Sequence, residues 1–156
     1  MTGRAEVARL RQRLDAAFER ARAVGPDLEL QSDFARYLCV LVSGYLENAV
    51  AELVLEHARK TGAPTLQRFV DYRTKRFTNA NAQRLKDLLG SFDPDWREDL
   101  EEFVVDSLKD AVDGVVDLRN RIAHGESVGV TYYRIAEYYS RVQKVVEHVA
   151  DLCVPP

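Results

Sequence analysis

The residues best suited to chemistry fall in one stretch, Leu118-Arg119-Asn120-Arg121-Ile122-Ala123-His124-Gly125. Gly125 reads as the C′ stop of a helix, which puts His124 in the last turn, where free carbonyls favour a cation. An imidazole takes and gives a proton near neutral pH and so suits acid–base work. Asn120 lies one turn earlier on nearly the same face, placed to hold the imidazole or a ligand by hydrogen bonds. Arg119 flanks the apolar side of the helix, in line with Val112, Val116 and Ala123. A guanidinium there needs a carboxylate or an anionic ligand, and its planar fork fits phosphate oxygens. Arg119 and His124 are five positions apart, a divergence of roughly 140° on an ideal helix. Two facing copies would therefore bring both groups to one phosphate more readily than one copy.

The same stretch also reads as plain helix chemistry, and from spacing alone that reading comes first. Asp106, Asp110, Asp113, Asp117, Arg121 and His124 form a polar stripe of the kind that faces solvent. Arg121 falls one turn after Asp117 and pairs with it in this view. A histidine before a terminal glycine is ordinary capping.

The elements that position this stretch are all helical by period. Val7, Leu10, Leu14, Ala17, Phe18 and Ala21 mark a first helix over 4–24, ended by Gly25-Pro26. A second is expected after a cap at Ser32 and runs to about Thr61, with Phe34, Leu38, Leu41, Tyr45, Ala49 and Leu53 in one seam. Its middle is apolar almost all round, so it is central or covered by a partner. Residues 64–92 predict two short helices around a polar joint, with Asn81 capping the second and Gly90 ending it. Asp93-Pro94 starts the next element, helical to His124 with a break near Phe103. Val104, Leu108, Ala111, Val115, Leu118 and Ile122 form its buried seam. Thr131 caps a last helix reaching about Cys153. The expected architecture is an all-α antiparallel bundle with a short helical insertion, one domain over 1–156.

Composition narrows the partners. With a net charge of −3 over 156 residues, the chain lacks the basic coat of a general nucleic-acid binder, so any such site is local. Cys39 and Cys153 sit among apolar residues, as buried free thiols of a reducing compartment do. Neither the cysteines nor the three histidines have the spacing of a metal site. His57 and His148, beside glutamates, read as solvated, and Asn79 and Asn81 as loop caps. Tyr132, Tyr133, Tyr138 and Tyr139 read as core or interface groups before they read as base-stacking ones. The longest apolar run, Tyr37–Val42, is too short to span a bilayer, and Met1–Arg22 has no apolar signal core. A cytoplasmic protein without membrane contact is expected.

The chemical stretch resembles the signature of the HEPN superfamily, an arginine and a histidine with four to six residues between them and a polar residue, often Asn, after the arginine. Arg119, Asn120 and His124 match it, and Ile122-Ala123-His124-Gly125 is a typical ending. Ser43-Gly44-Tyr45-Leu46-Glu47-Asn48 is similar to the family's acidic region on the second helix. Phe77-Thr78-Asn79-Ala80-Asn81, Leu88-Leu89, Asp93 and Trp96 are similar to the RiboL-PSP-HEPN branch, so that the likeness covers about 32–150. The resemblance implies a metal-independent endoribonuclease without cofactor, a toxin or an antiviral or stress effector. Its homodimer would form a composite site, and an antitoxin or regulatory protein would be a further partner. RNA would be cut by its own 2′-hydroxyl, leaving 2′,3′-cyclic phosphate and 5′-hydroxyl ends.

By the same resemblance His124 is general acid or base, Arg119 stabilises the phosphate charge, and Asn120 positions phosphate or imidazole. Glu47 orients Arg119 through a half-buried pair with Ser43 assisting, and Arg121 is a lesser phosphate contact. The acidic stripe opposes RNA and would need Arg119, Arg121, Arg73–Arg76 and Arg84 to offset it. The alternative is a non-catalytic HEPN scaffold that binds RNA, a nucleotide or a partner protein.

Overall fold

Side chains that accept backbone N–H groups start most of the helices. In the computed structural model, which describes residues 2–156 and so leaves Met1 of the expected domain outside, these are α1 (Gly3–Arg22), α2 (Leu28–Thr61), α3 (Pro64–Thr74), α4 (Ala82–Phe92), α5 (Pro94–Phe103), α6 (Asp106–Ala123) and α7 (Tyr132–Cys153). Thr2, Asp27, Asn81, Asp93 and Thr131 cap α1, α2, α4, α5 and α7. There is no strand among the described residues. The all-α class expected from the periodicity holds.

Two boundaries differ from expectation for local reasons, and the expected break near Phe103 takes a specific form. α2 begins at Leu28, because Asp27 accepts the Leu30 amide at 3.0 Å; Ser32 lies inside the helix, one side of its hydroxyl facing Arg36. α4 runs through Gly90 to Phe92. That glycine makes room for a neighbour, since a Cβ there would lie 2.5 Å from the Arg97 Nε. The break near Phe103 is a sharp corner at Val104-Val105, and Asp106 opens α6 with φ +51°, a left-handed conformation that aspartate adopts more readily than most residues.

The central element is α2, which packs against α1, α3, α6 and α7; α4 packs on α5, and α6 on α7. Leu38, Cys39, Val42, Leu46, Val50, Leu53 and Val54 of α2 are fully buried, and residues from all seven helices join them in one hydrophobic cluster. An 18-residue window of α2 reaches a mean hydropathy of 1.6, enough by composition to cross a membrane and longer than the Tyr37–Val42 run suggested. More than half of that window is buried inside the bundle, as the central helix of a core requires.

Tight approaches hold the helices in register. Gly3 meets Glu56 of α2, and Gly114 of α6 meets the Tyr138 ring of α7, where a Cβ would stand 3.0 Å from the ring. Tyr139 joins three helices: its ring stacks on Phe18 at 4.7 Å, meets Tyr45 edge-on at 6.0 Å, and its hydroxyl donates to Asp15.

Candidate active site

The C-terminus of α6 closes in a Schellman motif. The Gly125 amide donates to Ile122 and the Glu126 amide to Arg121, each at 3.0 Å, with Gly125 at φ +76°. His124 is the C-cap residue, its own amide donating to the Asn120 carbonyl at 3.0 Å. Its imidazole is exposed and makes no hydrogen bond within the described residues. The loop that follows is pinned by buried Val128 and Val130.

Arg119 and Asn120 are both half-buried, and Arg119 Nη1 donates to Asn120 Oδ1 at 3.2 Å. No carboxylate oxygen lies within 4.0 Å of Arg119 among the described residues. The expected pair with Glu47 is therefore not formed. Glu47 instead accepts the backbone N–H of Asn79 at 3.0 Å, at a corner where Asn79 holds φ +53°. Its physical task is to hold the α3–α4 corner. Ser43, one turn earlier, is 1% exposed and its hydroxyl has no partner, which leaves it inside the bundle and away from solvent.

Arg121 is engaged on both sides. Its Nε donates to Glu126 at 3.1 Å, and Asp117 lies 3.9 Å away. The acidic stripe is likewise partly neutralised. Asp113 accepts the Ala82 amide and the Lys109 ammonium, each at 2.8 Å, and Asp113 raises the pKa of Lys109 by that hydrogen bond. Asp113 is thus a joint between α4 and α6 as well as a surface charge.

Beside Asn120 a cleft of about 330 Å³ runs between α4 and α6, lined by Asn81, Gln83, Lys86, Lys109, Asp117 and Asn120. Lys86 and Gln83 carried no sequence signal of this placement, because α4 is brought to α6 by the tertiary contact at Asp113. Asn81 is the cap expected of it, accepting the Arg84 amide at 2.9 Å.

The RiboL-PSP-HEPN family model matches residues 6–154. The chain belongs to this family. Neither a curated protein nor a solved structure matches it. RiboL-PSP-HEPN membership extends the likeness seen over 32–150 to the first helix and to the end of the last. HEPN domains are often RNases, commonly bind RNA and often dimerise.

Within this HEPN chain the remaining reactive groups are structural. His57, expected to be solvated, is half-buried; its ring donates to the Cys153 carbonyl at 3.1 Å and meets Trp96 edge-on at 4.7 Å. His148, expected likewise, stacks on Phe103 at 3.8 Å and hydrogen-bonds Asp99. Both pair across helices that the sequence does not place together. Cys39 and Cys153 are buried and unpaired, and burial pushes each thiol up to about 12. No cluster of three His, Cys, Asp or Glu side chains among the described residues is arranged to hold a metal.

Proposed function

We propose that this chain is an endoribonuclease that needs no metal and works as a homodimer. Arg119 carries the reading. A half-buried guanidinium without a carboxylate partner is best compensated by an anionic ligand, and an exposed imidazole caps the same helix five positions later. Family membership supports the same substrate class. Arg119 and His124 do not engage each other within one chain, which favours a cleft shared by two copies.

In the proposed reaction one His124 removes the proton from a ribose 2′-hydroxyl. The 2′-oxygen attacks the adjacent phosphorus, the bond from phosphorus to the 5′-oxygen breaks, and His124 of a second copy protonates that leaving oxygen. The products are a 2′,3′-cyclic phosphate and a 5′-hydroxyl. Arg119 stabilises the charge that builds on the non-bridging oxygens, and Asn120, bonded to Arg119, sets the direction of its fork. Asp117 and Glu126 already occupy Arg121, so it contributes least. A cytoplasmic site of action, with an antitoxin or regulator holding the activity in check, belongs to this proposal.

Purified protein should cut single-stranded RNA in EDTA and leave cyclic-phosphate ends. His124→Ala should lower the rate by at least about 100-fold, and Arg119→Ala by about 100- to 1,000-fold, with helicity and oligomeric state unchanged. Equal cutting by wild type and His124→Ala would overturn the mechanism. Tight RNA or protein binding with no cutting at all would favour the non-catalytic scaffold.

A further inference from the structure

A second cavity, between α3 and α4, is lined by three arginines, none of which has a carboxylate within ion-pair distance among the described residues. It measures about 410 Å³ and is walled by Tyr72, Arg73, Arg76, Phe77, Arg84 and Asp87. That volume lies within the roughly 300–1,000 Å³ of small-ligand sites. Arg73, Arg76 and Arg84 have no carboxylate within 4.0 Å among the described residues. The one acid on the wall, Asp87, is already taken, because its Oδ1 accepts from Arg97 and from Gln83, each at 3.0 Å. Nearby Asp71 is held by Lys75 at 3.2 Å. In a chain of net charge −3, three exposed guanidiniums around one hollow make a local basic patch that favours an anionic ligand.

The walls also carry planar apolar surface. Tyr72 is 53% exposed, with the Arg76 guanidinium over its ring at 4.5 Å. Phe77 is half-buried behind it and packs against the core. Arginine forks for phosphate beside an exposed aromatic ring are the two parts of a single-strand binding surface, since every base has a face to stack.

The position of α4 links this hollow to the motif. Arg84, Asp87, Leu88 and Ser91 face the arginine cavity, while Gln83 and Lys86 face the cleft that ends at Asn120. We propose that the α3–α4 cavity is a docking site for single-stranded RNA lying outside the linkage that is cut. Arg73, Arg76 and Arg84 hold phosphates, Tyr72 stacks a base, and the strand crosses α4 to reach Asn120. The proposal rests on the function above only for the identity of the ligand as RNA; binding does not require cleavage.

The test uses a fluorescein-labelled single-stranded RNA and the uncut His124→Ala protein, read by anisotropy. In that background Arg73→Ala/Arg76→Ala/Arg84→Ala should weaken binding at least about tenfold. It should also lower the slope of log affinity against log salt by about 2, from roughly 0.7 per lost single-strand phosphate contact. Tyr72→Ala should weaken binding about tenfold and leave the salt slope as it was. In the active protein the triple variant should raise KM and spare kcat. All four side chains are solvent-exposed, so matched thermal unfolding of the variants will show that the fold is intact.

Unchanged affinity and slope in the triple variant, or no RNA binding by His124→Ala itself, overturns the proposal. Arginine-dependent binding without any cleavage by the wild type would sustain it while removing the nuclease. Cleavage with KM untouched in the triple variant would do the reverse.

Discussion

At the residue scale, Gly125 shows how little freedom the end of α6 has. Its φ of +76° is a region where a Cβ costs about 1–2 kcal/mol. Gly125→Ala should therefore lower the unfolding temperature by roughly 2–8 °C, and Gly125→Asn should recover part of the loss. A thermal melt identical to wild type would show that the cap does not depend on glycine. This glycine was legible from sequence, as were the caps at Asn81, Asp93 and Thr131, because cap chemistry is settled within a turn of chain. The partner of Glu47 was not legible. Its acceptor role spans 32 residues, to an amide at Asn79, and a carboxylate's side-chain neighbours in sequence do not reveal which distant donor it meets. The same reason hid the stacking of His148 on Phe103 and the anchoring of His57 by Cys153.

At the element scale, periodicity identified the helices, since a seam such as Val104–Ile122 reports burial directly. Ends were less legible where two signals compete. Ser32 and Asp27 are both good caps, and the chain uses the earlier one because Leu28-Glu29-Leu30 continues a helical turn without penalty. Gly90 reads as a stop by type, yet serves as a recess for Arg97. Gly114 belongs to the same class. It lets α6 and α7 close to ring contact, with Tyr138 atoms about 3.0 Å from where a Cβ would stand. Gly114→Val should force the two helices apart and destabilise the fold by about 1–3 kcal/mol. Adding Tyr138→Ala should relieve part of that strain, so that the double variant loses less than the sum of the singles in urea unfolding. Strict additivity would mean that the ring moves aside freely.

At the scale of the whole molecule, the aromatic joint among α1, α2 and α7 ties stability to alkaline pH. Burial pushes the Tyr45 hydroxyl up to about 12, and burial with the bond to Asp15 raises that of Tyr139 further. Both shifts favour the neutral phenol in the folded chain. Their stabilisation is thus complete below about pH 10, the ordinary tyrosine value, and is lost as pH climbs through 12. Denaturant unfolding should hold steady up to pH 10 and weaken above it, while tyrosinate absorbance should show two of the seven tyrosines ionising late. Simultaneous ionisation of all seven in the folded protein would contradict the buried joint. The bundle itself was legible in outline, but which helices share this joint was not, because Tyr139 meets residues more than a hundred positions away.

Two carboxylates from different helices grip the short peptide that leads into α4: Glu47 of α2 at the Asn79 amide and Asp113 of α6 at the Ala82 amide. Between them the Asn81 amide folds back on the Asn79 carbonyl at 2.7 Å. The peptide is in effect a tether between the motif helix and the central helix, though it belongs to neither. Sliding α6 along α2 by one helical turn, about 5.4 Å, would have to uncoil that turn or surrender one of the grips. Axial travel of Arg119, Asn120 and His124 relative to the core is in this way limited by two carboxylates and a four-residue peptide outside the motif.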